Sequence, residues 1–269
     1  MIAVLIIILL LILLFVFATI CRKDHKDFRK LQGFYYAHRG LHGPGIPENS
    51  MLAFRKAKEA GYGIELDIHL LADGNLAVIH DSLLKRTTGL EGEIEDLRTE
   101  QLSECYLENT LQTIPQFQQV LDLYSGEAPL IVELKCYRNN YAQLCEAACK
   151  MLDAYDGVYC LESFDPRCIR WLRKNRPELI RGQLAENYFR SKSTPLPWYL
   201  KFVLSFQLMN FLVFPDFISY RFSDRKHISN FLCGKIWKAN KVTWTLRNQK
   251  DFDKAIAEGW LPIFEAFNP

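Results

Sequence analysis

The chain has 269 residues, with 33 Lys and Arg against 31 Asp and Glu, a formal charge of +2. A balance this close to neutral, with no basic tract, excludes a binder of nucleic-acid backbones, and the length bounds the chain at one large domain or two small ones. The eight cysteines show neither a C-x-x-C pair nor zinc-ligand spacing, so they read as free thiols in a reducing compartment.

Residues 1–20, "MIAVLIIILLLILLFVFATI", hold no charged side chain and only Thr19 as a polar one. At about 1.5 Å per residue the run reaches roughly 30 Å, the hydrocarbon thickness of a bilayer, and predicts a transmembrane anchor. A cleaved signal peptide competes with this, but it wants a basic region first and small residues at a cleavage site. Residues 21–32 read as a basic juxtamembrane linker, with Arg22, Lys23, Lys26, Arg29 and Lys30 against Asp24 and Asp27. That bias places the domain at 33–269 on the cytoplasmic side of the cell membrane, as a single-pass protein.

Next, "FYYAH" predicts a strand that runs into Arg39 and Gly40, and a Gly- and Pro-rich loop carries Glu48 before a helix opens at Asn49 and Ser50. A lone histidine at a strand end is more often structural than catalytic. In "GYGIELDIHLL" the period of two puts Glu65, Asp67 and His69 on one face of a strand and Ile64, Leu66 and Ile68 on the other. Only twelve residues separate Asp67 from His80, around the turn pair Asp73-Gly74, which suits a hairpin better than a crossover. Residues 86–114 read as an elaboration over the mouth of a barrel.

From residue 130 onward, β-rich runs alternate with helices. "PLIVELK" precedes a helix near 140–154, "GVYCLESF" precedes one that Asp165 caps and Pro177 stops, and "ELIRGQL" and "DFISYRF" follow. Then come a helix near 223–238, "KVTWTL", a helix near 250–258 and "LPIFEA". The alternation predicts an α/β fold, a parallel (β/α)8 TIM-type barrel, with nine strand candidates for eight places. An open doubly wound sheet is the alternative, but no Gly-rich dinucleotide loop follows a strand. The apolar run 198–214 reads as a buried helix or as an interfacial one, for which Trp198, Tyr199 and Lys201 are suited.

Glu65 and Asp67 on one strand, Glu133 and Lys135 on another, and His80-Asp81 at the end of a third each have a structural explanation when taken alone. Together they do not, because a barrel that gathers three carboxylates needs a cation among them. Once these strands are assembled, "AHRG", "PEN", "ELD", "VIHD", "RTT", "ELK", "SFD" and a late "WT" resemble the glycerophosphodiester phosphodiesterase family, in order and over nearly the whole domain. The resemblance implies a parallel barrel, a divalent cation and hydrolysis of a phosphodiester beside a glycerol, on a glycerophosphodiester or a lysophospholipid. It implies Glu65, Asp67 and Glu133 as metal ligands and His38 and His80 as acid and base.

An all-carboxylate set independently suits Mg²⁺ or Ca²⁺, with Mn²⁺ as a third candidate. Arg39 and Lys135 would bind phosphate, Glu48 and Asn49 would support them, and Trp244 would either wall the glycerol pocket or fill the barrel. His69 falls off the family pattern, His42 reads as loop, and "IFEAFNP" departs from the usual ending, which leaves Glu265 open. A phospholipase D-like or phosphoinositide-cleaving enzyme and a membrane-tethered, inactive binding barrel remain as alternatives.

Overall fold

The computed structural model describes residues 1–23, 25–191 and 195–269, and nine strands occur among the described residues. They are β1 (Tyr36–His38), β2 (Gly63–Leu70), β3 (Leu76–Val78), β4 (Leu130–Leu134), β5 (Tyr159–Ser163), β6 (Arg181–Ala185), β7 (Phe217–Arg221), β8 (Asn240–Leu246) and β9 (Leu261–Phe264). Eight of them pair in parallel as β1-β2-β4-β5-β6-β7-β8-β9, and β9 returns to β1 to close a (β/α)8 barrel. The surplus strand is β3, which pairs antiparallel with β2 in the hairpin built on Asp73-Gly74 and stays outside the ring.

The helices are α1 (Ile2–Ala18), α2 (Met51–Glu59), α3 (Lys85–Thr88), α4 (Phe117–Tyr124), α5 (Tyr141–Leu152), α6 (Pro166–Asn175), α7 (Trp198–Ser205), α8 (Asn210–Val213), α9 (Ile228–Phe231) and α10 (Gln249–Ala257). Local chemistry starts several of them: Ser50 Oγ accepts from the Ala53 amide at 3.1 Å, and Asp165 and Asn248 cap α6 and α10 in the same way. Outward residues such as Ile64, Leu66 and Val132 pack beneath the helices. Inward residues at the strand starts, among them Tyr36, Ile131, Cys160 and Phe217, fill the floor. Ile79, Leu84, Ile94 and Ile114 give the 86–114 elaboration a small core of its own.

The basic segment is not a free linker. Phe28 and Leu31 are buried in the floor cluster, and Arg22 pairs with the buried Asp216 while its backbone amide donates to the Pro215 carbonyl at 2.8 Å. Asp24 lies outside the described residues.

α1 spans 17 residues, about 25 Å against the roughly 30 Å of a bilayer core. Among the described residues no helix is long and apolar enough to cross a membrane, so the span expected over 1–20 is not met. Thr19 leaves the helix because the barrel recruits it: it is buried, and the Trp237 indole donates to Val16 O at 3.1 Å and Thr19 Oγ1 at 3.2 Å.

Two further expectations are corrected. The run 198–214 is not one helix but α7 and α8, broken where Gln207 takes φ +56° and its amide donates to Ser229 Oγ and Asn230 Oδ1. The helix expected near 223–238 is a 3-10 turn at Phe222–Asp224 and then a helical stretch that opens as α9 and continues as a π-helix over Leu232–Ile236.

Candidate active site

Register brings the site together. Parallel pairing sets His38 of β1 beside Glu65 of β2, and Asp67 of β2 beside Glu133 of β4, all pointing into the barrel. Oxygen atoms of Glu65, Asp67 and Glu133 all lie within 4.8 Å of one another, and all three residues are buried. Two cations reach them. Lys135 Nζ sits 3.1 Å from Glu133 Oε1 and 3.4 Å from Asp67 Oδ1, and Arg39 Nε lies 3.5 Å from Asp67 Oδ2.

Arg39 owes its position to a backbone that few residues adopt. At φ +55° it turns the chain sharply off β1, and its amide donates to the Glu65 carbonyl at 2.9 Å. Glu48 accepts from Arg39 Nη1 at 2.9 Å and from Arg86 at 2.6 Å, so it holds two guanidinium groups at the mouth. Asn49, also at positive φ, donates its side-chain amide to Asp67 Oδ2 at 2.9 Å. Both residues expected to support the site therefore touch its charged groups.

The electrostatics are unequal across the cluster. Burial works against ionisation at Asp67, yet Lys135, His80 and Arg39 hold its carboxyl well below the usual range. Burial and the neighbouring Asp67 and Glu133 push Glu65 well above it. Three buried carboxylates against two cations leave negative charge in excess, and a divalent ion is what would let all three ionise together. Asp67 Oδ1 is buried and accepts no hydrogen bond among the described residues, an orphan acceptor that suits a metal ligand.

The histidines flank this cluster. His38 Nδ1 lies 2.8 Å from Glu265 Oε2, and its Nε2 is 3.8 Å from Glu65. Burial and the Arg39 charge push His38 down to about 4, against the pull of Glu265. His80 Nδ1 pairs with Asp81 at 2.6 Å, and Asp81 is held low by that bond and by Arg86. His38 and Arg39 line a cavity of about 520 Å³ with Arg221, Arg247 and Trp244. His80 lines a second, of about 240 Å³, with Glu133, Lys135 and Phe164. Trp244 meets Phe164 edge-on at 5.5 Å, so the two aromatics stand between the cavities.

Glu265 was left open by its unusual sequence context, and it proves to be the partner of His38. The two-residue spacing between Ile263 in β9 and Glu265 just past its end was the available signal. His69 is structural: its Nδ1 pairs with Glu95 at 2.6 Å and its Nε2 meets the His80 carbonyl at 3.1 Å, which steadies the loop bearing His80. Glu162, in register with Glu133, is a further buried carboxyl that burial and Glu133 push up. Sequence reasoning passed over it.

Glu265→Gln is expected to lower kcat about tenfold, because a carboxylate behind an imidazole fixes its tautomer and raises its basicity. The bond to Glu265 raises the His38 pKa, so the pH-rate limb belonging to His38 should move to lower pH in the variant. A lower melting temperature with an unmoved pH profile would mark Glu265 as structural only.

The chain is similar to several known proteins. The model of the Glycerophosphoryl diester phosphodiesterase family matches residues 38–260. A glycerophosphodiester phosphodiesterase from Caldanaerobacter subterraneus is 33% identical over 160 residues, 56% of this chain and 65% of its own. A protein of that name from Bacillus altitudinis is 39% identical over 113 residues, 39% of this chain and 46% of its own. A rat lysophospholipase D is 32% identical over 127 residues, 41% of this chain and 40% of its own. The chain thus spans between 40% and 65% of the length of these relatives.

Among solved structures, an Oleispira antarctica phosphodiesterase in complex with the product sn-glycerol-3-phosphate superposes with a TM-score of 0.69 at 21% identity, over 86% of this chain and 92% of that one. A Thermotoga maritima glycerophosphodiester phosphodiesterase does so with 0.66 at 22%, over 87% and 95%. At such identity these two likenesses speak for the fold. Since the family match takes in β1 from His38 onward, the carboxylate cluster and the strands through β8, the chain belongs to the glycerophosphoryl diester phosphodiesterase family.

Proposed function

We propose that the protein hydrolyses glycerophosphodiesters, or lysophospholipids that contain that unit, to a glycerol phosphate and an alcohol. The observation that carries this reading is a buried carboxylate cluster flanked by two histidines, each backed by its own carboxylate. Glu65, Asp67 and Glu133 would hold one Mg²⁺ or Ca²⁺, with Mn²⁺ as a third candidate, and that ion would polarise a phosphoryl oxygen.

The remaining work falls to the chain's own groups. Arg39 and Lys135 offer N–H donors to the phosphate and balance the charge that develops on it. One histidine takes a proton from the attacking hydroxyl while the other gives one to the departing alkoxide. Their places on either side of the cluster suit attack and departure on opposite faces of phosphorus. The hydroxyl can belong to the glycerol carbon beside the phosphate, giving a cyclic phosphate that water then opens, or to water directly. Trp244 and Phe164 offer the apolar wall against which glycerol carbons can lie.

Attachment to the cell membrane belongs to the same proposal, with the barrel on the cytoplasmic side. It is supported by the exposed apolar helix α1 and by the exposed basic residues Lys26 and Arg29 that follow it. The test is an assay of the full chain with glycerophosphocholine, glycerophosphoethanolamine and lysophosphatidylcholine, with and without Mg²⁺ or Ca²⁺. Release of choline or ethanolamine with the glycerol phosphate is expected. Release of phosphocholine would favour the phosphoinositide-cleaving chemistry, and metal binding without turnover would mean an inactive binding barrel.

A further inference from the structure

The contacts of α1 order it along the barrel. Arg22 pairs with Asp216, the residue before β7, and donates to the carbonyls of Pro177 and Leu179 ahead of β6, so it sits at the strand starts. Seven residues earlier, the Phe15 ring lies 5.7 Å from Phe206, whose ring is 4.5 Å from His227. His227 in turn stacks at 6.0 Å on Tyr220, near the end of β7. Reading back from Arg22 to Phe15 therefore climbs from the floor to the mouth. Because α1 is one continuous helix, residues 2–14 carry on in that direction for about 20 Å. They project on the side where His38, His80 and the carboxylates open.

Other apolar groups gather at the same level. The Ser205 carbonyl that ends α7 accepts from Tyr220 Oη at 3.0 Å, and α7 leaves Trp198 and Tyr199 exposed at 74% and 53%. α9, just after β7, exposes Ile228 and Phe231. We propose that α1, α7 and α9 form one lipid-facing platform that seats the barrel mouth-down on a bilayer. The scissile phosphodiester is then that of a lipid in the headgroup layer and not of a molecule free in water. This rests on the phosphodiesterase reading above.

The chemistry favours lipid over a protein partner. From Ile2 to Leu14 every position is exposed and apolar. A partner helix or a second copy would cover one stripe and leave the rest in water, whereas acyl chains cover all sides. Trp198, Tyr199 and Lys201 on α7 are residue types that settle at the headgroup level. A mouth held there meets a glycerol phosphodiester where lipids carry it, so the lipid need not leave the membrane.

The test uses the full chain in vesicles of phosphatidylcholine whose acyl chains are brominated, which quench nearby fluorophores. A bimane is attached at Ser223→Cys, on the mouth cavity, or at Gln32→Cys, on the floor, with the half-buried Cys136 replaced by Ser. Stronger quenching at residue 223 is expected. Equal quenching, or more at residue 32, overturns the orientation. In parallel, Trp198→Ser/Tyr199→Ser should slow hydrolysis of lysophosphatidylcholine in vesicles about tenfold while its rate on soluble glycerophosphocholine stays within about twofold of wild type. An unchanged vesicle rate, or equal losses on both substrates, overturns the platform. Quenching as expected with no turnover of either substrate by the wild type would support the orientation and overturn the phosphodiesterase reading instead.

Discussion

His80→Ala is expected to lower turnover by at least about 10²-fold, and His38→Ala to do the same, because each removes a group placed to move a proton. The two should fail without unfolding. His80 is partly open to solvent and its ring, among the described residues, bonds its neighbour Asp81, while Glu265 keeps Arg247 at 3.1 Å when His38 is gone. Single-turnover rates beside melting curves would separate the effects. Near-normal rates in both variants would end the assignment of acid and base.

The second large effect is expected at the carboxylates. Asp67→Asn, Glu65→Gln and Glu133→Gln keep the side-chain shape but remove charge, so each should weaken Mg²⁺ and Ca²⁺ binding by at least about tenfold, with turnover falling in step. Asp67 should be the most severe, since Arg39, Lys135 and Asn49 all converge on it. Calorimetric titration reads the loss directly. Unchanged affinity in all three variants would rule the cluster out as a metal site.

Much of this site could be read before any coordinates, because strand alternation is a local signal. Once "IELDIHL" is taken as a strand, Glu65, Asp67 and His69 must share a face, and barrel closure turns that face inward. The hairpin at Asp73-Gly74 was legible for a similar reason, since a turn pair and a short spacing are local too. What escaped depended on distant partners. Glu265 meets His38 across 227 positions of chain, and its two-residue spacing from Ile263 is the only local hint that "IFEAFNP" offers of it. His69 and Glu162 share the inward face with catalytic candidates, and alternation alone cannot tell a ligand from a prop. The docking of segment 21–32 was not legible in its charges, because the buried Phe28 and Leu31 meet partners far along the chain. The helix expected near 223–238 starts only at Ile228, where the buried Asn230 accepts from the Gln207 amide, a partner distant in sequence.

The seating of Phe28 and Leu31 bears on the order in which the chain can mature. These residues are made before any strand, yet their berth includes Phe217 and Val242, which emerge late in translation. The floor therefore cannot close until most of the barrel exists, and closing it joins residues far apart in sequence, a slow class of contact. Until then Phe28 and Leu31 have no completed berth, and the segment that carries them stays undocked while the later strands are made. Docking of Phe28 and Leu31 is thus a late step that seals a ring already formed, and not a seed on which the strands assemble.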